Sequence, residues 1–246
     1  MSRGNNAITP NRFATRPLYL QARDAIAQRI VAGEWKPHKA IPNESELARE
    51  FGVSPGTMRK ALDLAQTERL LTRRQGRGTF VTDPSSDEHI ERYSSVRDSD
   101  GKCVVADVEV LSLLEAAANE CELARLGLHA RERVLRIRRL WLTGSKPHML
   151  EDVALPAKLF PGLATLKHAS EQMVVLAQQF GLLSGKGEER ITVGRATPDV
   201  AAALQVEVDA TVMVLDRVIY TLQGRPAEWR IGQCLTEGTH YLAELA

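Results

Sequence analysis

The chain has 246 residues, of which 43% are apolar and 26% charged, enough for one large globular domain or two modest ones. Three well-separated cysteines, Cys103, Cys121 and Cys234, exclude a disulfide framework and match no C-x-x-C metal or redox pattern. A polar N-terminus and the lack of a run near 18 apolar residues point to a cytoplasmic protein with no membrane partner.

The net charge of +1 hides an asymmetry. Residues 16–81 hold 12 Lys/Arg against 7 Asp/Glu, whereas residues 82–246 hold 18 against 24. A basic front and an acidic rear imply two domains with different partners.

Residues 1–15 read as a flexible tail. Leu18, Ala22, Ile26 and Ile30 then recur at helical spacing, and Gly33 ends the helix. Trp35 to Ile41 reads as a loop or short strand. Asn43 followed three residues later by Glu46 is a capping-box arrangement for a helix with Leu47, Ala48 and Phe51 inside and Gly52 as its stop. Ser54 caps a second helix, with Pro55 at a position that needs no amide and Met58, Ala61, Leu62 and Ala65 as its buried stripe. Two short helices joined by a tight glycine turn predict a helix-turn-helix. The second helix presents Thr57, Arg59 and Lys60 away from its apolar stripe, where side chains can reach base edges and phosphates. A charged helix face can equally be a solvated one. The next segment, Leu70 to Val81, is strand, glycine turn, strand, with Arg73, Arg74 and Arg77 at its tip. A basic hairpin directly after a helix-turn-helix predicts a DNA-binding wing.

The run from Pro17 to Val81 resembles the DNA-binding domain of the GntR family of bacterial regulators. The resemblance is carried by Ile41-Pro42-Asn43-Glu44-Ser45-Glu46-Leu47-Ala48, Gly52-Val53-Ser54, Thr57 to Leu62 and Arg73 to Val81. It implies contacts to double-stranded operator DNA from Glu44, Ser54, Thr57, Arg59, Lys60, Arg73, Arg74, Gln75, Gly76, Arg77 and Thr79. Many members carry Arg at the positions of Ser45 and Pro55, and this chain lacks both.

Residues 82–90 are polar and aperiodic and form the expected linker. Beyond it, strand signals cover Cys103–Leu111, Val134–Thr143, Met149–Ala154, Thr211–Gln223 and Ala227–Leu235. Helix signals cover Glu115–Leu126, Ser170–Phe180 and Thr197–Leu204. The class is α+β with a mostly antiparallel sheet. Alternation places Arg139 on the apolar face of its strand with Leu135, Ile137 and Trp141, so it requires a partner. Glu228 and Arg230 share one face of the last long strand and can pair with each other.

Residues 91–246 resemble the effector-binding UTRA domain of the HutC subfamily, whose fold is like that of chorismate lyase. The motifs are Arg138-Arg139-Leu140 followed by Gly144-x-x-Pro147-x-x-x-Glu151, Leu155-Pro156 with Phe160-Pro161-Gly162-Leu163, and Arg217 followed by Gly224-Arg225-Pro226-x-Glu228. The resemblance implies effector contacts from Arg139, Glu151 and Glu228, with Trp141 at a second basic-strand position, Ser170 or Glu171 at a serine position, and Arg230 beside Glu228. Cys234 falls where sugar-phosphate sensors place an aromatic residue. These replacements favour a small carboxylate effector over a phosphosugar. Arg139 would then hold the carboxylate bidentately, and Glu151 or Glu228 would meet amine or amide groups.

No cofactor is expected. The scattered histidines form no metal motif, and no nucleophile elbow is present, so neither a metal site nor a catalytic residue is assigned. A lyase-like enzyme fused to a DNA-binding module remains the alternative. One small winged module makes few contacts, so two half-sites are needed, which predicts a homodimer on a two-fold symmetric operator; the resemblance implies that it acts as a repressor.

Overall fold

A computed structural model describes residues 16–83, 86, 95–104, 106–165 and 173–243. The tail at 1–15 and most of the 82–90 linker therefore lie outside the described residues. The chain divides into two compact units, residues 1–84 and 85–246.

In the first unit α1 (Leu18–Val31) packs on α3 (Pro55–Thr67), and α2 (Glu44–Phe51) packs on α3 as well. The local chemistry dictates these boundaries. Asn43 Oδ1 accepts from Glu46 N at 3.0 Å while Glu46 Oε2 accepts from Asn43 N at 2.9 Å, closing a capping box. Gly52 takes the left-handed conformation that stops α2, with φ of 66°. Ser54 Oγ caps α3 from Thr57 N at 3.2 Å. Ala22, Ile26, Leu47, Phe51, Met58 and Ala61 are fully buried between the helices. Arg29 is buried too, stacked 4.5 Å from the Phe51 ring and paired with Glu50 at 2.6 Å.

Strands β1 (Leu71–Arg74) and β2 (Gly78–Val81) form the antiparallel wing. The stretch after α1 resolves as a short extension of it, because Pro37 and Ala40 bridge to Val81 and Phe80.

The second unit is built on a six-stranded, wholly antiparallel sheet. Its strands are β4 (Asp107–Ala117), β5 (Arg133–Thr143), β6 (Lys146–Pro156), β7 (Ser184–Arg195), β8 (Thr211–Thr221) and β9 (Pro226–Leu235), in the order β4-β5-β6-β9-β8-β7. Short strands β3 (Val96–Asp98) and β10 (Thr239–Tyr241) form a separate antiparallel pair.

One face of the large sheet carries α4 (Glu120–Leu126) against Val134, Ala154 and Trp229, and α6 (Pro198–Leu204) against Leu150 and Val212. The opposite face carries α5 (Met173–Gln179) with Phe160 and Leu163 over Leu135, Ile137, Val153 and Leu155. Farther along that face, Val96 and Tyr241 cover Met213, Leu215 and Cys234.

One assignment from sequence is corrected. Glu115 to Ala117 belong to β4, paired with Leu135 to Arg133, and the helix that follows starts only at Glu120, capped by Asn119. The register of β4 shifts between Val110 and Ser112, so a bulge breaks the alternation on which a strand is recognised. The exposed edge strand β7 was not expected. The predicted helix 170–180 is described from Met173, which leaves Ser170 and Glu171 outside the described residues.

Candidate functional site

The front unit gathers the predicted DNA-contacting groups on α3 and the wing. Ser54 and Thr57 occupy the first turn of α3, their hydroxyl oxygens 2.8 Å apart. Arg59 projects into solvent, yet its guanidinium is held by Glu44 at the start of α2, with Nη2 donating to Oε1 at 2.8 Å and Nε to Oε2 at 3.2 Å. Lys60 sits 5.9 Å from the Tyr19 ring of α1. On the wing, Arg73 donates to Asp63 at 3.1 Å and Arg74 lies over Phe80. Gln75, Gly76 and Arg77 form the exposed tip, with Gly76 at φ 69°, a geometry glycine adopts without strain. Thr79 pairs with Arg73 across the hairpin. The start of α3 and the wing thus expose hydroxyl, guanidinium and ammonium groups, suited to phosphates and base edges.

In the rear unit, strand register brings Arg139, Trp141, Glu151, Glu228 and Arg230 onto one sheet face, in the seam between its two apolar clusters. Arg139 stands directly opposite Glu151 and is fully buried. Its Nε donates to Glu151 Oε2 at 2.9 Å, and its Nη2 donates to the same oxygen. Trp141 Nε1 donates to that oxygen at 3.3 Å, and Arg230 Nη1 donates to Oε1 at 3.1 Å. Arg230 Nε in turn lies 3.1 Å from Glu228. Burial alone would push the Glu151 carboxyl up. The Arg139 and Arg230 charges, with the hydrogen bonds from Arg139 and Trp141, overcome this and bring it down to about 2.

A second pair continues the belt. Arg217 donates to Glu189 at 2.6 Å, and the Tyr241 hydroxyl donates to the other Glu189 oxygen at 2.7 Å. Three arginines thus face three glutamates, and the belt is neutral. At its end, Glu228 Oε1 is buried and is ion-paired with Arg230 Nε at 3.1 Å. Glu228 lines a shallow recess, open to solvent and walled by Phe160, Ala177, Leu182, Ile219 and Tyr220.

The front unit, residues 18–81, matches the model of the bacterial regulatory proteins of the gntR family, and residues 104–238 match that of the UTRA domain. The chain belongs to the GntR family, in its HutC group. It is therefore a DNA-binding transcriptional regulator whose C-terminal domain binds an effector.

This GntR-family chain is 32% identical over 217 residues to the HTH-type transcriptional regulator Rv0792c of Mycobacterium tuberculosis, covering 86% of this chain and 80% of the relative. It is 28% identical over 192 residues to the histidine utilization repressor of Pseudomonas putida, covering 78% and 77%. The ligand-binding domain of a GntR-family regulator from Bordetella bronchiseptica superposes with a TM-score of 0.58 at 28% identity, covering 62% of this chain and 97% of that domain.

Sequence reasoning placed Arg139 and Glu151 in one site but assigned each to a ligand rather than to the other. Their direct opposition follows from the Gly144 turn together with the register shift between Trp141 and Leu142, where the extra residue His148 brings Glu151 rather than Leu150 opposite Arg139. Glu189 and Tyr241 were missed, because β7 and β10 gave no alternating pattern. Arg217 was noted within a motif and given no role.

Proposed function

We propose that this regulator is a cytoplasmic homodimeric repressor, without catalytic activity or cofactor, released from its operator by a small molecule bound along the arginine–glutamate belt. The observation that carries the reading is the neutrality of that buried belt, which ends at Glu228 in a shallow recess. A phosphosugar would bring roughly −1.5 to −2 charges into it without a compensating cation. A small carboxylate bearing an amine keeps the balance, and one bearing an amide adds a single negative charge: in either, the carboxylate takes a guanidinium and the N–H groups meet Glu228. Ser170 or Glu171 would complete the site.

The test is a thermal-shift panel of amino- and amido-carboxylates and phosphosugars, run alongside operator release followed by fluorescence anisotropy. The expected result is a higher melting temperature and operator release with the first class, and recovery of the compound unchanged. A response to phosphosugars alone, or conversion of the compound, would overturn the reading.

Two substitutions test the DNA face. Arg59→Ala is expected to weaken operator binding by roughly 1–3 kcal/mol and to relax base preference at one position. Wild-type affinity and selectivity would remove Arg59 from the groove. Arg77→Ala is expected to weaken binding to all sequences alike and to reduce the slope of log affinity against log salt by about 1. An unchanged slope would mean that the wing tip touches no phosphate.

A further inference from the structure

We propose that residues 1–15 form a second DNA-binding element, an arginine arm that enters the minor groove beside the stretch met by α3, with Arg12 and Arg3 between the two backbones.

Asp24 is the first acidic residue of the chain, so the opening 23 residues carry Arg3, Arg12, Arg16 and Arg23 with no counter-charge among them. No other stretch free of Asp and Glu is as long; the next two, residues 133–150 and 153–170, have 18 each and belong to the rear unit. The two later arginines are answered inside the fold. Arg16 and Arg23 both pair with Asp24, and Arg23 pairs with Glu68 at 3.4 Å as well. Arg3 and Arg12 have no acidic residue within ten positions on either side. A run of one sign at the start of a DNA-binding unit suits a polyanion.

The segment joins the fold on the DNA-facing side. The Arg16 carbonyl accepts from Gln21 Nε2 at 2.9 Å, and its guanidinium lies on Asp24, which together tie down the entry to α1. Three residues on, the Tyr19 ring lies 5.9 Å from the ammonium of the exposed Lys60. The chain therefore enters α1 at the flank of the helix that presents Thr57, Arg59 and Lys60. Each residue reaches at most about 3.3 Å, so Arg12 can stand about 13 Å from Arg16, and Arg3 about 30 Å beyond that. The first span exceeds the roughly 6 Å width of a minor groove, and the second follows it along the duplex.

The side chains fit that groove. Its floor offers only acceptors at A·T pairs, and its narrow stretches concentrate a negative potential that draws arginine in. Asn5, Asn6 and Asn11 add amide donors beside the two guanidinium groups.

The experiment compares the full chain, the chain lacking residues 2–15, and Arg3→Gln combined with Arg12→Gln, on long duplexes of alternating inosine–cytosine and guanine–cytosine. The two duplexes share their major-groove groups and differ in the guanine 2-amino group on the minor-groove floor. Fluorescence anisotropy over a salt series reads affinity and its slope. The full chain is expected to prefer the inosine duplex. Both variants are expected to bind that duplex about tenfold more weakly, to lose the preference, and to reduce the slope of log affinity against log salt by about 2, one for each arginine. If both variants bind both duplexes as the full chain does, the segment touches no DNA and the proposal is overturned. If they lose affinity for both duplexes alike, the arginines meet phosphates only and the minor-groove placement is overturned. If the deletion weakens binding but the double substitution does not, the arginines are not what binds and the proposal is likewise overturned.

Discussion

Arg139→Ala is expected to destabilise the rear unit by about 3–5 kcal/mol, the cost of leaving one member of a buried ion pair behind. Glu151 is 2% exposed and has Arg139 directly across from it, so water cannot replace the lost guanidinium. Arg230 is left to hold both Glu151 and Glu228, and the space vacated by the side chain adds a packing cost. Denaturant unfolding of the full chain followed by near-ultraviolet circular dichroism would read the loss. Arg139→Met together with Glu151→Met is expected to recover most of it, since an apolar pair of similar volume carries no desolvation cost. Both variants are expected to lose the effector response while the front unit keeps its fold. A single mutant as stable as the wild type would show that the pair adds nothing to stability, and a fully inducible one would remove Arg139 from effector binding.

Acid is expected to act on the same pair. The Glu151 carboxyl sits at about 2 against 4.5 for a free glutamate. A depressed acid contributes stability that is present above its unfolded value and is lost as pH falls through its folded value. Glu151 therefore supports the fold in full above pH 4.5, and this support, roughly 3 kcal/mol, fades between pH 4.5 and 2. Glu189, drawn down against its burial by Arg217, and Glu122, drawn down against its burial by Arg136, add in the same direction. Glu68 and Asp152, raised by burial, act in the opposite sense. Melting temperatures of the wild type and Glu151→Gln across this range provide the check. The variant, less stable at neutral pH, is expected to show a visibly flatter acid slope. Parallel curves would assign the acid sensitivity to other carboxylates.

The two units differed in how much of them could be read from sequence, and the reason is physical. In the front unit each boundary is set by neighbours within four residues: Asn43 with Glu46, Gly52 after Phe51, Ser54 before Pro55. Local chemistry of that kind is visible in a linear chain. In the rear unit the boundaries depend on pairing. Glu115, Ala116 and Ala117 favour a helix by propensity, but hydrogen bonding to Leu135, Val134 and Arg133 makes them strand. Strand β7 is exposed on both faces, so no period-two pattern marks it. Alternation on β5 did reveal that Arg139 points inward. That Glu151 neutralises it depends on the register of the next strand, which the hydrophobic pattern left open.

Glu44 gives the recognition helix a form of restraint. With its carboxylate bound to both faces of the Arg59 fork, part of the positive field that any random duplex would feel is already answered inside the molecule. A mismatched sequence that offers Arg59 no pair of acceptors gains little by prising it loose, whereas a guanine edge presents two acceptors and can replace both bonds at once. On the proposed reading of Arg59 as a base contact, the carboxylate taxes indiscriminate attachment more heavily than correct attachment and shortens the time spent on the wrong stretches of a chromosome.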